Sequence, residues 1–360
     1  MNLTIHKIRL KELEAFINSR TFRHFEYVPI SHLRAKSYLS NPRSNPDDVV
    51  LYLGFIDEQL VAFRSLFADV CKNGKEKIRF GWCSGAWVHP NFRRKGFSEQ
   101  LLKEAYSDWN KKLMFTNYTT SSEKLIKKTG WFKTIYQFEG ARAYLFPKTR
   151  KLIAKADSNL LFRFVFLIID LIVSGYSNFC LWIYPGQKQT SVRFETGEFP
   201  DKECYQLIGK NTSGFNRGEN ELKWIFNHPW LSTDKSEYTS NYPFSSYTKY
   251  FYYKTVKLYS ENKLSGFFIF SVREGHLKTL YFHLPDELLD KTATFLKNFS
   301  KENKIEFITI YKKALAAELF KRKFPFLHVK KYGQKIYGTF EIISNTDLHF
   351  QDGEGDVFFT

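Results

Sequence analysis

The sequence predicts an α/β protein of the α+β kind, built from mixed, mostly antiparallel sheets that are covered by helices. Three observations predict this class. Residues 77–109 have the pattern of a strand, a short basic loop and a helix. Two strands, at 49–56 and 60–67, come shortly before and predict an antiparallel meander. From residue 248 the order strand, strand, strand, helix, strand, helix, strand repeats the order of the first half.

The stretch 77–109 organises the first half of the chain. Aromatic and β-branched residues as far as Val88 favour extended structure, and Pro90 ends it because proline cannot continue a hydrogen-bonded ladder. After the loop, apolar residues recur on one face of a helix. These residues are Leu101, Leu102, Ala105, Tyr106 and Trp109.

The loop between strand and helix has the composition of an anion site. Gly96 allows backbone to approach a ligand closely, and the first amides of a helix have no partners within it. Three cations precede the helix, so the pattern predicts binding of a phosphate or pyrophosphate. The alternative is a basic, solvent-exposed turn before an ordinary amphipathic helix. The loop comprises Arg93, Arg94, Lys95, Gly96, Phe97 and Ser98.

This stretch resembles the acyl-CoA-binding motif of the GNAT superfamily of N-acyltransferases. The matching residues are Val88, Pro90, Arg93, Gly96 and Ser98, followed by Leu101 and Leu102. Ser98 stands where the family has glycine or alanine. The resemblance implies that the loop amides bind the CoA pyrophosphate and that the strand edge pairs with the pantetheine arm. It assigns acyl-CoA binding to Ala86, Trp87, Val88, Arg93, Arg94, Lys95, Gly96, Phe97 and Ser98.

Residues 119–131 resemble a second GNAT motif. They predict a helix that begins with capping-box spacing from Thr120 to Glu123 and ends at Gly130-Trp131. The two motifs occur in family order, and the resemblance covers roughly residues 1–147. In many members of the family a tyrosine four residues before this glycine protonates the leaving thiolate, whereas Ile126 stands here. The candidate strand 79–88 carries no carboxylate. A base for the amine is needed, and the sequence leaves open His24, Glu26, Tyr118 or a residue from the other half.

The segment before the meander contains a predicted strand at 3–9 and a helix at 10–17, followed by a mixed stretch at 21–43. In the family this region shapes the acceptor pocket. The resemblance therefore makes Phe25, Glu26 and Tyr27 candidate wall residues, while the alternative is that the aromatic residues close the edge of the core.

Composition describes the class of protein without choosing a partner. The 360 residues are 18% aromatic, which excludes a disordered tail protein. Their formal charge of +17 indicates a polyanionic partner, and solvated surface lysines are the alternative. Nucleic acid, an anionic membrane face and nucleotide-linked sugars all stay open. The four cysteines form no C-x-x-C pair, and no metal site is predicted. The N-terminal residues lack a signal-peptide pattern, so we expect a cytoplasmic protein.

Residues 160–184 form the most apolar stretch of the chain and are long enough to span a bilayer. Arg163 and Asp170 oppose a span. Three placements compete: a buried helix between domains, a helix at a membrane surface, and a true span. All three predict a domain boundary here, which divides the chain into 1–147, a linker and apolar helix at 148–190, and 191–360.

The second half reads as a degenerate copy of the first. At the position of the pyrophosphate loop, residues 282–287 contain no glycine and carry two acids, which would repel phosphate. Residues 221–229 are weakly similar to a Trp- and His-Pro-containing stretch in some tandem GNAT-like proteins, so His228 either orients a substrate or serves as packing or a cap. Residues 352–356 predict a tight turn before a final strand at 357–359.

These features predict a tandem GNAT-like N-acyltransferase that moves an acyl group, most simply acetyl, from acyl-CoA to a small-molecule or peptide amine. Direct attack of the amine on the thioester is the expected mechanism. Two alternatives remain: an aminoacyl-tRNA-dependent ligase of the peptidoglycan-bridge type, and a non-catalytic CoA-binding protein.

Overall fold

The computed structural model describes residues 2–73, 76–116, 120–146, 160–184, 192–208, 214–215, 217–237, 241–341 and 350–360. Its strands are β1 (Thr4–Arg9), β2 (Val49–Ile56), β3 (Gln59–Asn73), β4 (Glu76–Val88), β5 (Leu113–Thr116), β6 (Lys133–Tyr144), β7 (Arg193–Gly197), β8 (Phe251–Ser260), β9 (Lys263–Arg273), β10 (His276–His283), β11 (Phe307–Ile310) and β12 (His328–Gly338).

The α-helices are α1 (Leu10–Asn18), α2 (Arg20–Arg23), α3 (His32–Leu39), α4 (Phe97–Asp108), α5 (Thr120–Thr129), α6 (Leu160–Ile183), α7 (Lys202–Ile208), α8 (Glu219–Asn227), α9 (Leu289–Glu302) and α10 (Lys313–Lys321). Short 3₁₀ helices cover Pro90–Phe92, Lys235–Glu237, Asp286–Leu288 and Gly355–Phe359.

The chain forms two compact units, and neither is continuous in sequence. Unit 1 comprises Met1–Gln137, Ile208–Phe251 and Gln334–Thr360, and unit 2 comprises Phe138–Leu207 and Tyr252–Gly333. This grouping differs from the division along the chain at 147 and 190, because segments from the second half pack with the first. The division into 1–147, 148–190 and 191–360 stays a prediction about the two copies.

Unit 1 contains the strand order β1-β2-β3-β4-β5-β12. The neighbouring pairs β1–β2, β2–β3, β3–β4 and β5–β12 are antiparallel, while β4 and β5 run parallel. Helix α4 covers one face of this sheet, where its buried residues join a core with residues of β2 to β5. The predicted meander and the predicted strand, loop and helix are confirmed.

Unit 2 contains the strand order β6-β11-β10-β9-β8-β7. Its one parallel pair in the described ladders is β10–β11, and β9–β10, β7–β8 and β6–β11 are antiparallel. The order β8-β9-β10-α9-β11-α10-β12 therefore repeats β2-β3-β4-α4-β5-α5-β6, as the sequence predicts. The last strands are exchanged: β12, from the second copy, pairs with β5, and β6, from the first, pairs with β11.

Several predicted boundaries are wrong in detail. The sequence patterns at 132–138 and 141–146 predict two strands, but the structure has one, β6. Those at 327–331 and 336–340 also predict two strands, and the structure has one, β12. The tail does not end in a strand, because Gly355–Phe359 is a buried 3₁₀ helix. The mixed stretch 21–43 contains α3, which the sequence did not predict. The dipeptide Asn73-Gly74 predicts a hairpin turn and residues 148–155 predict a basic linker. The first lies partly and the second wholly outside the described residues.

Candidate functional site

A β-bulge interrupts β4 in the middle of unit 1. Ser65 of β3 faces Gly85 and Leu66 faces Cys83, so Ser84 is the extra residue and has no partner in the ladder. A bulge bends its strand and re-aims a side chain, and bulges occur preferentially beside active sites. Ser84 is only partly exposed.

Immediately after the bulge, β4 leaves its parallel neighbour. The ladder between β4 and β5 comprises Gly81, Trp82 and Cys83, and within the described residues it goes no further. Among the residues that the structure describes, none of β5 pairs with β4 from Ser84 to Val88, while β3 still pairs with the other edge. Open backbone edges accept an extended ligand by hydrogen bonding. The predicted pantetheine residues, Ala86, Trp87 and Val88, all lie on this segment.

The same strand leads to the start of α4. Gly96 has φ +82°, which permits the turn, and a Cβ added there would meet nothing within 4 Å. Its carbonyl accepts hydrogen bonds from the amides of Glu99 and Gln100. The amides of Gly96, Phe97 and Ser98 donate to no residue that the structure describes. These three amides are donors without a described partner at a helix N-terminus, where the helix dipole also favours an anion.

The basic residues of the loop directly precede these amides in the chain. Arg93, Arg94 and Lys95 are exposed, and Arg94 itself has a positive φ of 65°. The Nε of Arg93 donates to the carbonyl of Val88 at 3.4 Å, and the Lys95 ammonium lies 4.8 Å from the centre of the Phe92 ring. All six residues predicted for pyrophosphate binding thus fall in one turn, although Phe97 is buried in the core of unit 1.

A buried arginine, absent from the sequence prediction, lies behind the loop. Arg64 on β3 is 4% exposed, and its Nη2 is 3.3 Å from the Ser98 hydroxyl. Among the described residues it makes no ion pair with a carboxylate, and its Nε has no hydrogen-bond acceptor. Burial lowers the pKa of Arg64, an effect that the nearby Cys83 sulfur partly offsets. Positive charge is therefore held just behind the amides of α4.

The opposite face of the sheet carries a polar cluster at the bulge. Alternate residues of a strand point to opposite faces. Leu66 and Ala68 contribute to the core beneath α4, whereas Ser65 lies 3.3 Å from the Tyr38 hydroxyl of α3. On this α3 side the Ser84 hydroxyl accepts from Arg34 at 3.0 Å and donates to the Asp356 carboxylate at 3.1 Å.

The C-terminal segment brings Asp356 to β4. Two residues earlier, Glu354 accepts hydrogen bonds from buried Arg217 at 2.6 and 3.0 Å, and the same arginine pairs with Asp69 of β3 at 2.8 Å. Gly355 has φ +74°, and a Cβ there would lie 2.6 Å from the Trp82 ring. Glycine is therefore required at this position for the backbone to rest on β4 and to present Asp356 at Ser84.

Aromatic side chains lie beside this polar cluster. The Tyr27 ring lies 4.6 Å from Trp87, Trp87 lies 5.4 Å from Phe63, and Phe63 lies 6.2 Å from Phe244. Tyr27, Trp87 and Phe244 are partly exposed. The Arg34 guanidinium lies 4.0 Å from the centre of the Trp230 ring. The open edge at Ser84 is therefore flanked by an aromatic surface on the α3 side of the sheet.

Of the candidate wall residues, Tyr27 alone joins this surface in the described contacts. Phe25 contacts Phe16, Phe22 and Phe55, as the alternative of a closed core edge predicted. Glu26 is exposed. The His24 ring nitrogen lies 2.7 Å from the Arg20 carbonyl, so this histidine caps α2.

Of the other residues singled out in the sequence, Ile126 and His228 are placed by the structure. Ile126 is 2% exposed in the core and cannot donate a proton. His228 follows the last residue of α8, where its amide bonds to the Trp224 carbonyl, and burial lowers its pKa. Tyr118 lies outside the described residues. Cys83 is no nucleophile at neutral pH, because burial raises the pKa of its thiol to about 11.

Unit 2 has the same strand geometry without the same chemistry. A bulge in β10 leaves Leu280 without a partner, and this fully buried residue occupies the position of Ser84. The following turn holds Asp286 and Glu287 in a 3₁₀ helix ahead of α9. Counted back from the start of each helix, Asp286 and Glu287 stand where unit 1 has Arg94 and Lys95, and Leu288 stands where it has Gly96. Within the described residues, no group of His, Cys, Asp and Glu could hold a metal ion.

Solved structures of other proteins share the fold of this chain. A protein from Enterococcus faecalis V583, described as a probable N-acyltransferase, is 10% identical, with 94% of this chain and 72% of that chain covered and a TM-score of 0.52. A GCN5-related N-acetyltransferase from Anabaena variabilis is 11% identical, with the same coverage and a TM-score of 0.51. No family model and no curated protein matches the sequence. Together with the internal repeat, these likenesses show a tandem GNAT-like fold.

Proposed function

We propose that unit 1 is an acyl-CoA-dependent N-acyltransferase. The observation that supports this most strongly is the continuous path from the open edge of β4 after Ser84 to the unpaired amides at the start of α4. An extended arm ending in a diphosphate fits that path, because strand edge and helix N-terminus offer the hydrogen bonds that each part needs. Acetyl-CoA is the simplest donor of this class.

The residues present fit a diphosphate by their chemistry. Three backbone amides, the exposed Arg93 and Arg94, and the buried Arg64 all lie at the start of α4, and Gly96 leaves space where another residue would place a Cβ. A bound anion would also compensate the buried Arg64 charge, which otherwise destabilises the fold. Unit 2 would not bind the donor, since Asp286 and Glu287 would repel it.

The amine would approach from the α3 side of β4. Its nitrogen attacks the thioester carbonyl, a C–N bond forms while the C–S bond breaks, and one proton must leave the nitrogen. The Asp356 carboxylate, held by Ser84 beside the open edge, is the group that would receive this proton. Backbone amides of the open edge are available to stabilise negative charge on the carbonyl oxygen.

The aromatic surface indicates the kind of amine. Tyr27, Trp87 and Phe244 offer ring faces, and ring faces attract both apolar groups and cations. We therefore propose an acceptor in which an aromatic, apolar or cationic group accompanies the reacting amine. The protonated amine would be attracted to the Asp356 carboxylate and would release one proton to water before it attacks. The proton released on attack then goes to Asp356, and CoA leaves as its thiolate.

A substitution at Gly96 tests donor binding. Because Asp and Asn have nearly the same shape, and asparagine tolerates positive φ, Gly96→Asn controls for backbone strain in Gly96→Asp. We expect Gly96→Asp to abolish acetyl-CoA binding in calorimetry, since its carboxylate would face the diphosphate, and Gly96→Asn to retain binding within about tenfold, or 1.4 kcal/mol. Equal affinities of wild type and Gly96→Asp would refute binding at this turn.

A further inference from the structure

Helix α6 in unit 2 buries two polar side chains and exposes many apolar ones. Asp170 and Ser177 are buried, and the Ser177 hydroxyl donates to the Leu145 carbonyl at 2.7 Å. The solvent side carries large apolar residues instead. Of the fifteen exposed large hydrophobic residues in the described chain, ten lie between 164 and 183. The six most exposed are Phe164, Leu171, Ile172, Tyr176, Phe179 and Trp182.

This exposed surface covers a wide arc. At 100° per residue, the exposed positions from Phe164 to Ile183 span about half of the helix circumference. The stripe on a helix that pairs with one other helix is narrower. Among the described residues, α6 is the helix that is long and apolar enough to cross a membrane. Only 17% of the most apolar window within its segment Phe164–Ile183 is buried. The placement as a buried helix is therefore wrong.

Charge and aromatic residues point to the kind of surface that covers this face. In the sequence, the sixteen residues 148–163 contain five cations, Lys148, Arg150, Lys151, Lys155 and Arg163, and one acid, Asp157. At the other end of the helix Trp182 is 80% exposed. Basic segments are attracted to anionic lipid, and tryptophan favours the interface between lipid and water.

We propose that α6 lies in the plane of an anionic membrane, with its exposed apolar face in the outer part of the lipid layer and its buried face on unit 2. The arc, the neighbouring basic segment and Trp182 match the pattern of an interfacial helix. Such a helix would hold the enzyme at a lipid surface. This inference is independent of the proposed acyl transfer.

The packing of α6 favours a surface position over a span. Its buried stripe runs from Asp170 to Tyr184, which is about 21 Å of helix. Leu181 belongs to the core of unit 2, and the Tyr184 carbonyl accepts from Lys301 at 2.8 Å. A helix crossing the bilayer would carry the part of unit 2 that covers Asp170 into the hydrocarbon. A helix in the plane keeps unit 2 in water.

Flotation of the full chain with lipid vesicles tests the proposal. Vesicles of equal parts phosphatidylcholine and phosphatidylglycerol are compared with vesicles of phosphatidylcholine alone. The test variant is Leu171→Asn with Trp182→Gln. The control is Phe199→Gln with Tyr250→Asn, which changes two exposed aromatic residues elsewhere. Circular dichroism checks that each variant is folded.

We expect the wild type and the control to float with the anionic vesicles, and the test variant to partition at least about tenfold less. Alkaline carbonate should release the bound protein. Absence of flotation, or equal flotation of both variants, would overturn the proposal. Retention after carbonate would overturn the surface position in favour of a span. A dimer in sedimentation that the test variant abolishes, without lipid binding, would show that a second copy covers this face.

Discussion

Arg64 is the residue whose role depends most on a bound anion. A buried cation without a carboxylate partner costs free energy, and replacing it with an apolar residue of similar size is often neutral or stabilising. Arg64 lies behind the start of α4, where an anion bound to the helix amides would offset that cost. No sequence pattern marks Arg64, because it lies on an ordinary buried strand and meets Ser98 across 34 positions.

Arg64→Met should therefore change binding and stability in opposite directions. We expect acetyl-CoA affinity to fall about tenfold or more, since a charged contact is lost, while the free energy of unfolding without ligand stays equal or rises by about 1 to 4 kcal/mol. Calorimetry and urea unfolding measure the two effects. Arg23→Met removes an exposed cation of the same charge and serves as the control. Unchanged affinity in Arg64→Met would exclude it from donor binding.

Asp356 is the carboxylate that the sequence could not locate. The strand 79–88 has none, and the residue that meets Ser84 comes from 272 positions away. Sequence reasoning left a residue from the other half of the chain among the options, but nothing in a Gly- and acid-rich tail distinguishes a buried carboxylate from a solvated turn. Its position became visible only once the long-range contacts of the tail were known.

Asp356→Asn should slow the transfer and alter its pH dependence. We expect kcat to fall by about 10² to 10⁴ with little change in acetyl-CoA affinity, because the proton acceptor is lost while shape is kept. The remaining rate should climb with pH as the amine deprotonates in solution. Thiol release from acetyl-CoA with a panel of primary amines measures this. A lower rate with the wild-type pH profile would assign Asp356 a structural role only.

At the scale of elements, β4, the loop and α4 were predicted from sequence because each follows from local chemistry: β-branched and aromatic residues, Pro90, and the apolar period after Gly96. Helix α3 was missed. Its buried face includes Arg34 and Ser37, so the apolar period that usually reveals a helix is absent. Arg34 is buried where it donates to Ser84, and the Ser37 carbonyl accepts from the Trp224 ring.

The C-terminal element was misread for a related reason. Its acids indicate a solvated turn, but Arg217 pairs with Glu354 across 137 positions and Phe359 stacks on Trp230 at 4.5 Å. Two carboxylates, Asp69 and Glu354, share Arg217 in a fully buried setting. Burial raises the pKa of Glu354 to about 7 despite that arginine.

This pKa predicts a pH dependence of stability. A carboxyl group whose folded pKa is raised contributes stability below its unfolded pKa and loses it as pH rises through the folded value. The Glu354 contribution should therefore decrease between about pH 4.5 and 7. Because Gln stays neutral, Glu354→Gln should gain stability relative to wild type across this range, by up to about 1.4 kcal/mol per pH unit. Urea unfolding at several pH values checks it, and a constant difference would contradict it.

At the scale of the whole molecule, the chain consists of two copies that differ in the residue at the bulge and in the turn that follows it. Both have a bulged strand followed by a parallel neighbour and a helix, and the element order made this repeat predictable. Ser84 and Gly96 mark the first copy, whereas Leu280 and Asp286 mark the second. The exchange of β6 and β12 was not predictable, because either strand satisfies the local pattern in both places.

Because only the first copy has the basic turn, we expect one acyl-CoA molecule to bind per chain. The most direct test is a crystal structure of the protein with acetyl-CoA. We predict a single bound molecule, with its diphosphate at the amides of Gly96, Phe97 and Ser98 and its pantetheine arm along β4 from Ser84 to Val88. A nucleotide bound at the start of α9, or anywhere other than this path, would contradict the account.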